Sequence, residues 1–363
     1  MKKRIFVTLL AVLMLLATVF ATVSCGNEEP KTPDGYSKYL YLYNWSEYMS
    51  QEVLDLFEEE YGIKVVMSTF ESNDEMFAKL LAGNNGTYDI AVPSNFFIES
   101  MLASNLLEEL DEGVMTNLNN IDEAYRNMDY DPEGKYTIPY MGTVCVWVAN
   151  KTKLAELGVE INDYNDLLDP ALKGNVLMTD DSQGNISIAL TACGLDPTNV
   201  SLEDIAVAKQ YLLDLNSNVK AYSLPADVRD AMIRNEAAVA YMYGGNAVQA
   251  MLENDDLIVI MEDQPNSLSV DTMVILKGSK HKTEAELFLN FILRPEISAK
   301  LTDMFPYVSF NKYSSEYVDK QLSSNPLVYL SDVMKENLYL ILTFDGDIIS
   351  AEVDAMTEVK LAR

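Results

Sequence analysis

The chain has 363 residues, with 56 Asp and Glu against 26 Lys and Arg, a formal net charge of −30. So acidic a balance argues against a nucleic-acid partner, whose phosphates need Lys and Arg, and suits a soluble extracellular protein that draws cations toward itself. The length exceeds what one small core usually holds, so two lobes are expected.

In chain order, residues 1–24 read as a signal peptide. Lys2, Lys3 and Arg4 begin it, and the apolar stretch Ile5 to Ala21 is too short and wrongly flanked for a membrane span. Thr22-Val23-Ser24-Cys25-Gly26 resembles the lipobox of bacterial lipoproteins, with Thr22 where that family prefers Leu. On this reading Cys25 carries the lipid and holds the protein on a membrane surface without spanning it. Residues 25–37 then form a flexible tether with little to bury. Without Lys2, Lys3 and Arg4 the net charge becomes about −33. Much of it is solvated surface, such as Glu58-Glu59-Glu60.

Strand and helix patterns alternate through the rest. Tyr39 to Tyr43 is a strand that runs into Asn44, Trp45, Ser46, Glu47 and Tyr48. Gln51 to Tyr61 is a helix stopped by Gly62, and Lys64 to Phe70 is the next strand. Asp74 to Ala82 is a helix with Met76, Phe77, Leu80 and Leu81 inward. Tyr88 to Val92 is a strand ending in Pro93, Ser94, Asn95 and Phe96. This βαβαβ unit predicts a mostly parallel sheet with helices on both faces. Ligands sit outside the carboxyl ends of such strands, so the loops after Tyr43 and Val92 suggest one pocket wall. The bland alternative is that Trp45 and Tyr48 fill a helix–strand corner.

Further strands are expected at Val144 to Asn150, Asn175 to Thr179, Ala237 to Tyr243, Leu257 to Met261 and Val270 to Leu276. Helices fit Ile186 to Cys193, Leu202 to Leu215, Pro225 to Asn235 and Thr283 to Leu293, with shorter ones at Leu154 to Leu157 and Tyr164 to Leu168. The tail from Lys312 reads as helical and ends in Glu352 to Ala362. Cys145 and Cys193 read as small buried hydrophobes, and their spacing says nothing for a disulfide.

Catalytic chemistry is thin. The single His, His281, lies in a polar turn. That leaves no Ser-His-Asp or Cys-His pair of the usual kind and no His-based metal cluster. No Walker loop or dinucleotide fingerprint is present. Asp180-Asp181 leaves a two-carboxylate hydrolase open on spacing alone, but Asp-Asp at a strand end is commonly a helix cap or a loop. The recurring feature is a strand ending in aromatic and acceptor residues. Carboxylates bind an ammonium through charge-assisted hydrogen bonds, and ring faces attract the cation and pack its methylenes.

At these residues the chain resembles the spermidine/putrescine-binding proteins of bacterial ABC transporters. The likeness lies in Leu42-Tyr43-Asn44-Trp45-Ser46-Glu47-Tyr48, Phe70-Glu71-Ser72-Asn73-Asp74-Glu75-Met76 and Tyr88-Asp89-Ile90-Ala91-Val92-Pro93-Ser94. Ile138-Pro139-Tyr140, Leu177-Met178-Thr179-Asp180-Asp181 and Phe291-Ile292-Leu293-Arg294-Pro295-Glu296 extend it. The resemblance implies an α/β, type II-like periplasmic-binding-protein fold. Two lobes, each a mostly parallel sheet flanked by helices, enclose the ligand in a cleft at the hinge. Lobe 1 is expected to hold residues 38–143 and 271–311, and lobe 2 residues 144–270 and 312–363.

The resemblance also implies the site. Trp45 and Tyr48 are aromatic walls, with Ser46 and Glu47 beside them. Ser94 keeps its identity, and Phe96 stands where a Tyr is common. Asp181 and Asp271 each meet an amine. Tyr243 replaces a usual Trp, Tyr307 matches a ring position, and Asp345 falls near a polar contact. Two positions depart from the family. Gly184 stands where a second carboxylate is often found, and Ser269 where a Trp often stands. The implied function is extracytoplasmic capture of putrescine or spermidine by a monomer and delivery to the permease of an ABC transporter, with no cofactor, metal or turnover. The rival readings are a binder of ferric iron or a sugar on the same fold, and a secreted hydrolase using Asp180 and Asp181.

Overall fold

The structure, a computed structural model, describes residues 30–46, 48–83, 86–111, 113–342 and 345–362. The expected signal peptide, the lipidation site Cys25 and the site residue Glu47 lie outside the described residues. The first part of the chain forms β1 (Tyr39–Trp45), α1 (Gln51–Tyr61), β2 (Lys64–Phe70), α2 (Asn73–Leu81), β3 (Ile90–Ala91) and α3 (Ile98–Ala103). The middle forms β4 (Thr137–Asn150), α4 (Lys151–Leu157), β5 (Val176–Thr179), α5 (Ser182–Ala192), α6 (Leu202–Leu215), β6 (Val219–Ser223), α7 (Pro225–Ile233), β7 (Val239–Tyr243), α8 (Gly244–Glu253) and β8 (Leu257–Ile260). The last part forms β9 (Asn266–Ile275), α9 (Lys282–Ile292), α10 (Pro295–Met304), α11 (Lys320–Ser323), α12 (Asp332–Glu336), β10 (Leu338–Leu340) and α13 (Gly346–Leu361).

The strands run in the order β2-β1-β3-β9-β4-β7-β5-β6. β1 is parallel to β2 and β3, and β5 is parallel to β6 and β7. These two parallel units are joined through antiparallel β9 and β4. β4 is apolar and buried along nearly its whole length, as a strand covered on both faces must be. It pairs with β9 over Thr137 to Val144, then with β7 over Cys145 to Ala149. The crossings expected near Val144 and Asp271 fall on these two strands.

Apolar packing follows that division. Tyr43, Phe70, Met76 and Leu80 form a core on one face of the β1–β3 unit. Trp147, Tyr241, Ile186 and Leu212 form another beneath α5 and α6. A third core runs from Leu42 and Phe57 through Val144 to Met242 and so spans both units.

Several expectations are corrected. Pro30 to Ser37 is not a free tether: Thr32 is buried, its N–H donates to the Tyr36 carbonyl (2.8 Å), and the Ser37 N–H donates to Glu284 Oε1 (2.5 Å). Residues 312–336, expected in lobe 2, pack on the other side. The Lys312 N–H donates to the Asn120 carbonyl (2.9 Å), and Lys335 Nζ lies 3.1 Å from Asp122 Oδ2. The chain returns to the β5–β7 unit near Leu342, whose carbonyl accepts from Gln183 Nε2 (3.0 Å), and α13 then packs on α5 and α6. The tail is also less helical than expected, because short turns and β10 precede α13.

Leu81 faces solvent, since α2 turns it away from the stripe formed by Met76 and Leu80. β6 shows no apolar alternation and reads poorly, being a half-exposed strand at the end of the sheet. α9 stops at Ile292, and Pro295 then starts α10 from its first turn, where its missing N–H costs nothing. His281 is buried rather than in an open turn, with Nδ1 3.0 Å from Asp89 Oδ2. Cys193 is exposed, Cys145 is buried, and both are free thiols.

Candidate ligand-binding cleft

The carboxyl ends of β1, β2 and β3 open on a cleft of about 620 Å³, faced by residues of β4, β7, β9 and α5. That volume suits a small-molecule site. Nine of the expected residues line it: Trp45, Ser46, Tyr48, Ser94, Phe96, Asp181, Tyr243, Asp271 and Tyr307. Asp345 does not; it is exposed at the start of α13.

One side of the cleft is built around Asp271. β9 brings it beside Ser94, which follows β3, through an isolated antiparallel bridge. Ser94 Oγ donates to Asp271 Oδ1 (2.6 Å) and the Tyr48 hydroxyl donates to Oδ2 (2.8 Å). Asn73 orients the serine: its Nδ2 donates to Ser94 Oγ (3.0 Å) and its Oδ1 accepts from the Ser94 N–H (3.1 Å). Burial pushes the Asp271 carboxyl above its ordinary range, and the two hydroxyl donors offset this only in part. Burial, then the charge of Asp271, holds the Tyr48 hydroxyl far above its usual value, so it stays a donor.

The rings are fixed as well. Trp45 Nε1 donates to the Val92 carbonyl (2.9 Å), and its indole packs on Phe70 with centroids 4.6 Å apart. Tyr48 meets Tyr307 edge-on at 5.2 Å. A Cβ on Gly245 would come within 2.9 Å of the Tyr307 ring, so glycine at the start of α8 is what admits Tyr307. Gly244-Gly245, which suggests only a turn in the sequence, opens this helix.

The opposite side is built around Asp181, the N-cap of α5. Its Oδ1 accepts from the Gly184 N–H (3.1 Å) and its Oδ2 from the Tyr243 hydroxyl (3.0 Å). A Cβ on Gly184 would stand 2.5 Å from Asp181 Oδ2. The absence of the second carboxylate is therefore coupled to how tightly Asp181 folds over its own helix. Burial first, then the charge of Asp181, raises the Tyr243 hydroxyl and pushes the Cys145 thiol up to about 12. Cys145 is thus a neutral wall rather than a nucleophile.

Asp180 does not line the cleft; it pairs with Lys360 of α13. The two adjacent carboxylates therefore do not face one substrate as a hydrolytic pair would. Among the described residues no group of three or more His, Cys, Asp and Glu could hold a metal ion.

Sequence reasoning missed Glu71, Asn73, Thr143, Cys145, Gln183, Asn246 and Ile341 as lining residues. Glu71 and Asn73 sit inside a motif already singled out. Thr143 and Cys145 alternate along β4 and so share a face. Ile341 carries no local signal, because only the return of the chain beside β9 brings it there.

Behind Asp181, α13 buries Glu352, whose Oε1 has no hydrogen-bond partner among the described residues. Burial, then the charge of Asp181, raises its carboxyl to about 7. The folded state thus holds this proton more tightly than the unfolded chain. Its ionisation costs nothing below about pH 4, costs more as pH rises toward 7, and costs most above that. Glu352→Gln is expected to stabilise the protein by about 1–2 kcal/mol at pH 8 and to change little at pH 4, read by thermal unfolding at both. Equal effects at the two pH values would contradict this.

A fold of two parallel units joined by paired crossing strands, with a carboxylate-lined cleft between them, defines an extracytoplasmic solute-binding protein. A model of the bacterial extracellular solute-binding protein family matches residues 52–329, and the chain belongs to that family. It is 28% identical over 293 residues to the spermidine/putrescine-binding periplasmic protein of Escherichia coli, covering 80% of this chain and 82% of that one. It is 31% identical over 300 residues to spermidine/putrescine-binding periplasmic protein 1 of Haemophilus influenzae, covering 82% of each. Among solved structures it resembles the spermidine/putrescine ABC transporter substrate-binding protein PotD of Streptococcus pneumoniae, with a TM-score of 0.80 and 27% identity, covering 90% of this chain and 99% of that one. No helix among the described residues is long and apolar enough to cross a membrane.

Proposed function

We propose that this protein captures a polyamine, putrescine or spermidine, between its lobes and delivers it to the permease of an ABC transporter. One observation carries the reading. Among the described residues, the cleft lining holds three carboxylates, Glu71, Asp181 and Asp271, and five rings, Trp45, Tyr48, Phe96, Tyr243 and Tyr307, but no Lys, Arg or His. Such a lining favours a multiply charged cation with apolar segments between its charges. The names borne by the relatives support the same ligand class. Asp271 and Asp181 come from opposite sides of the cleft, so a ligand that meets both favours the closed arrangement.

On this reading the protein binds and releases its ligand unchanged. Cys25 carries a lipid anchor after removal of residues 1–24, and the protein acts as a monomer. Calorimetric titration with putrescine, spermidine and spermine at moderate salt tests the proposal. Binding of at least one at micromolar or lower Kd, about −8 kcal/mol or better, is the expected result. No heat with any of the three would sink it.

A further inference from the structure

α13 lies behind Asp181 and is fastened on both sides of it. Just before the helix, the Leu342 carbonyl accepts from Gln183 Nε2 (3.0 Å), and in its last turn Lys360 pairs with Asp180. Asp181 stands between these two anchors in the chain, and Glu352 stands between them on the helix. The helix turns Ile348, Ala355, Met356 and Val359 into the apolar core it shares with α5 and α6. Glu352 falls on the same stripe, four residues after Ile348. It is 2% exposed, and its Oε1 has no partner among the described residues. Packing alone would favour an apolar residue at such a place. The charged groups of the neighbouring elements are engaged or turned outward. α5 carries no charged side chain from Ser182 to Ala192. On α6, Lys209 pairs with Glu358 (2.7 Å), Asp204 accepts from Ser201 Oγ (2.6 Å), and Glu203 and Asp214 are exposed. On α13 itself, Asp347 and Asp354 are exposed. The charge that reaches Glu352 is that of Asp181, the N-cap of α5.

We propose that Glu352 is a positioning residue for the amine held at Asp181: it gives up its proton as the cation arrives, so capture near neutral pH is coupled to proton release. The inference rests on the polyamine reading above. Glu352 does not line the cleft, so it acts on the ligand through Asp181 and not by contact. In the empty cleft, burial and the charge of Asp181 together keep the proton on Glu352 up to about pH 7. An ammonium seated on Asp181 offsets the second of these causes, and the carboxyl then ionises at lower pH in the complex than in the free protein. Well below that range Glu352 is neutral in both states and adds nothing to binding. As pH rises toward 7 the complex sheds the proton first, and affinity climbs. Above 7 the group is ionised in both states, and the gain is complete.

The test is calorimetric titration of the wild-type protein and of Glu352→Gln with putrescine and spermidine. It runs from about pH 5 to about pH 7.5, where the amines stay charged, in two buffers of different protonation enthalpy so that proton release is read directly. Wild type and Glu352→Gln are expected to bind alike at about pH 5, and wild type to bind roughly three- to tenfold more tightly at about pH 7.5. Near pH 6.5 wild type should release roughly 0.2–0.5 proton per ligand more than Glu352→Gln. Glu352→Asp, which keeps a titrating carboxyl, should keep the release. In an Asp181→Asn background, adding Glu352→Gln should change affinity by less than about twofold at either pH, because the path through Asp181 is gone. Equal weakening at both pH values would overturn the inference, since Glu352 would then act only through packing. Affinity and proton release in Glu352→Gln that match wild type near neutral pH would overturn it too, as would an undiminished effect in the Asp181→Asn background. Failure of the wild type to bind any polyamine would overturn the underlying ligand assignment instead.

Discussion

Asp271→Asn is expected to weaken polyamine binding by about 30- to 1000-fold without lowering the melting temperature of the free protein. The carboxylate is held by Ser94 Oγ and the Tyr48 hydroxyl, so a bound ammonium meets a charge that cannot turn away. Asn keeps the shape and loses the charge, leaving the ligand cation desolvated opposite a neutral amide. Stability should move the other way. Burial raises this carboxyl, so its ionised form is disfavoured in the fold. That cost is absent below the unfolded carboxyl's range and full above the raised folded value, and Asn removes it. The same shift makes wild-type affinity fall as pH drops through the raised carboxyl value, whereas the variant should be flat across that window. Titration calorimetry over a pH series, with thermal unfolding in parallel, reads both. A variant that binds like the wild type would remove Asp271 from the site.

Asp181→Asn and Asp181→Ala separate two roles of one side chain. Asp181 caps α5 through the Gly184 N–H and turns its other oxygen to Tyr243 in the cleft. Asn is as good an N-cap as Asp, so Asp181→Asn should keep the fold while weakening polyamine binding roughly 10- to 100-fold. Asp181→Ala should bind as poorly and also lose about 1 kcal/mol from the cap, a drop of roughly 2–4 °C in melting temperature. Equal melting temperatures for the two variants would mean that the cap contributes little. Undiminished binding by Asp181→Asn would place the ligand elsewhere along the cleft.

How much of this was legible in the sequence depends on how local each signal is. The extents of α1, β2 and α6 follow from their apolar spacing and agree with the structure residue for residue. Trp45, Ser94 and Asp271 stand out because each ends or lies in an apolar run and carries a side chain such a run does not need. Asp345 was placed at the ligand by a short match and lies outside it. The helix at Gly244 was hidden because paired glycines read as a turn, whereas Gly245 serves the approach of Tyr307, a residue far along the chain. β6 and β10 were hidden because edge pairing depends on backbone hydrogen bonds that leave no side-chain period.

By itself the sequence determined the acidic charge, the βαβ alternation and the strand-end aromatics, because all of these are properties of neighbouring residues. Only the tertiary structure decided three further points. Asp181 faces the cleft while Asp180 turns to Lys360. Asn73 orients Ser94, which in turn holds Asp271. Glu71 joins the cleft through the pairing of β1 with β2. Each depends on contacts between segments distant in the chain, and no local period or propensity records such contacts.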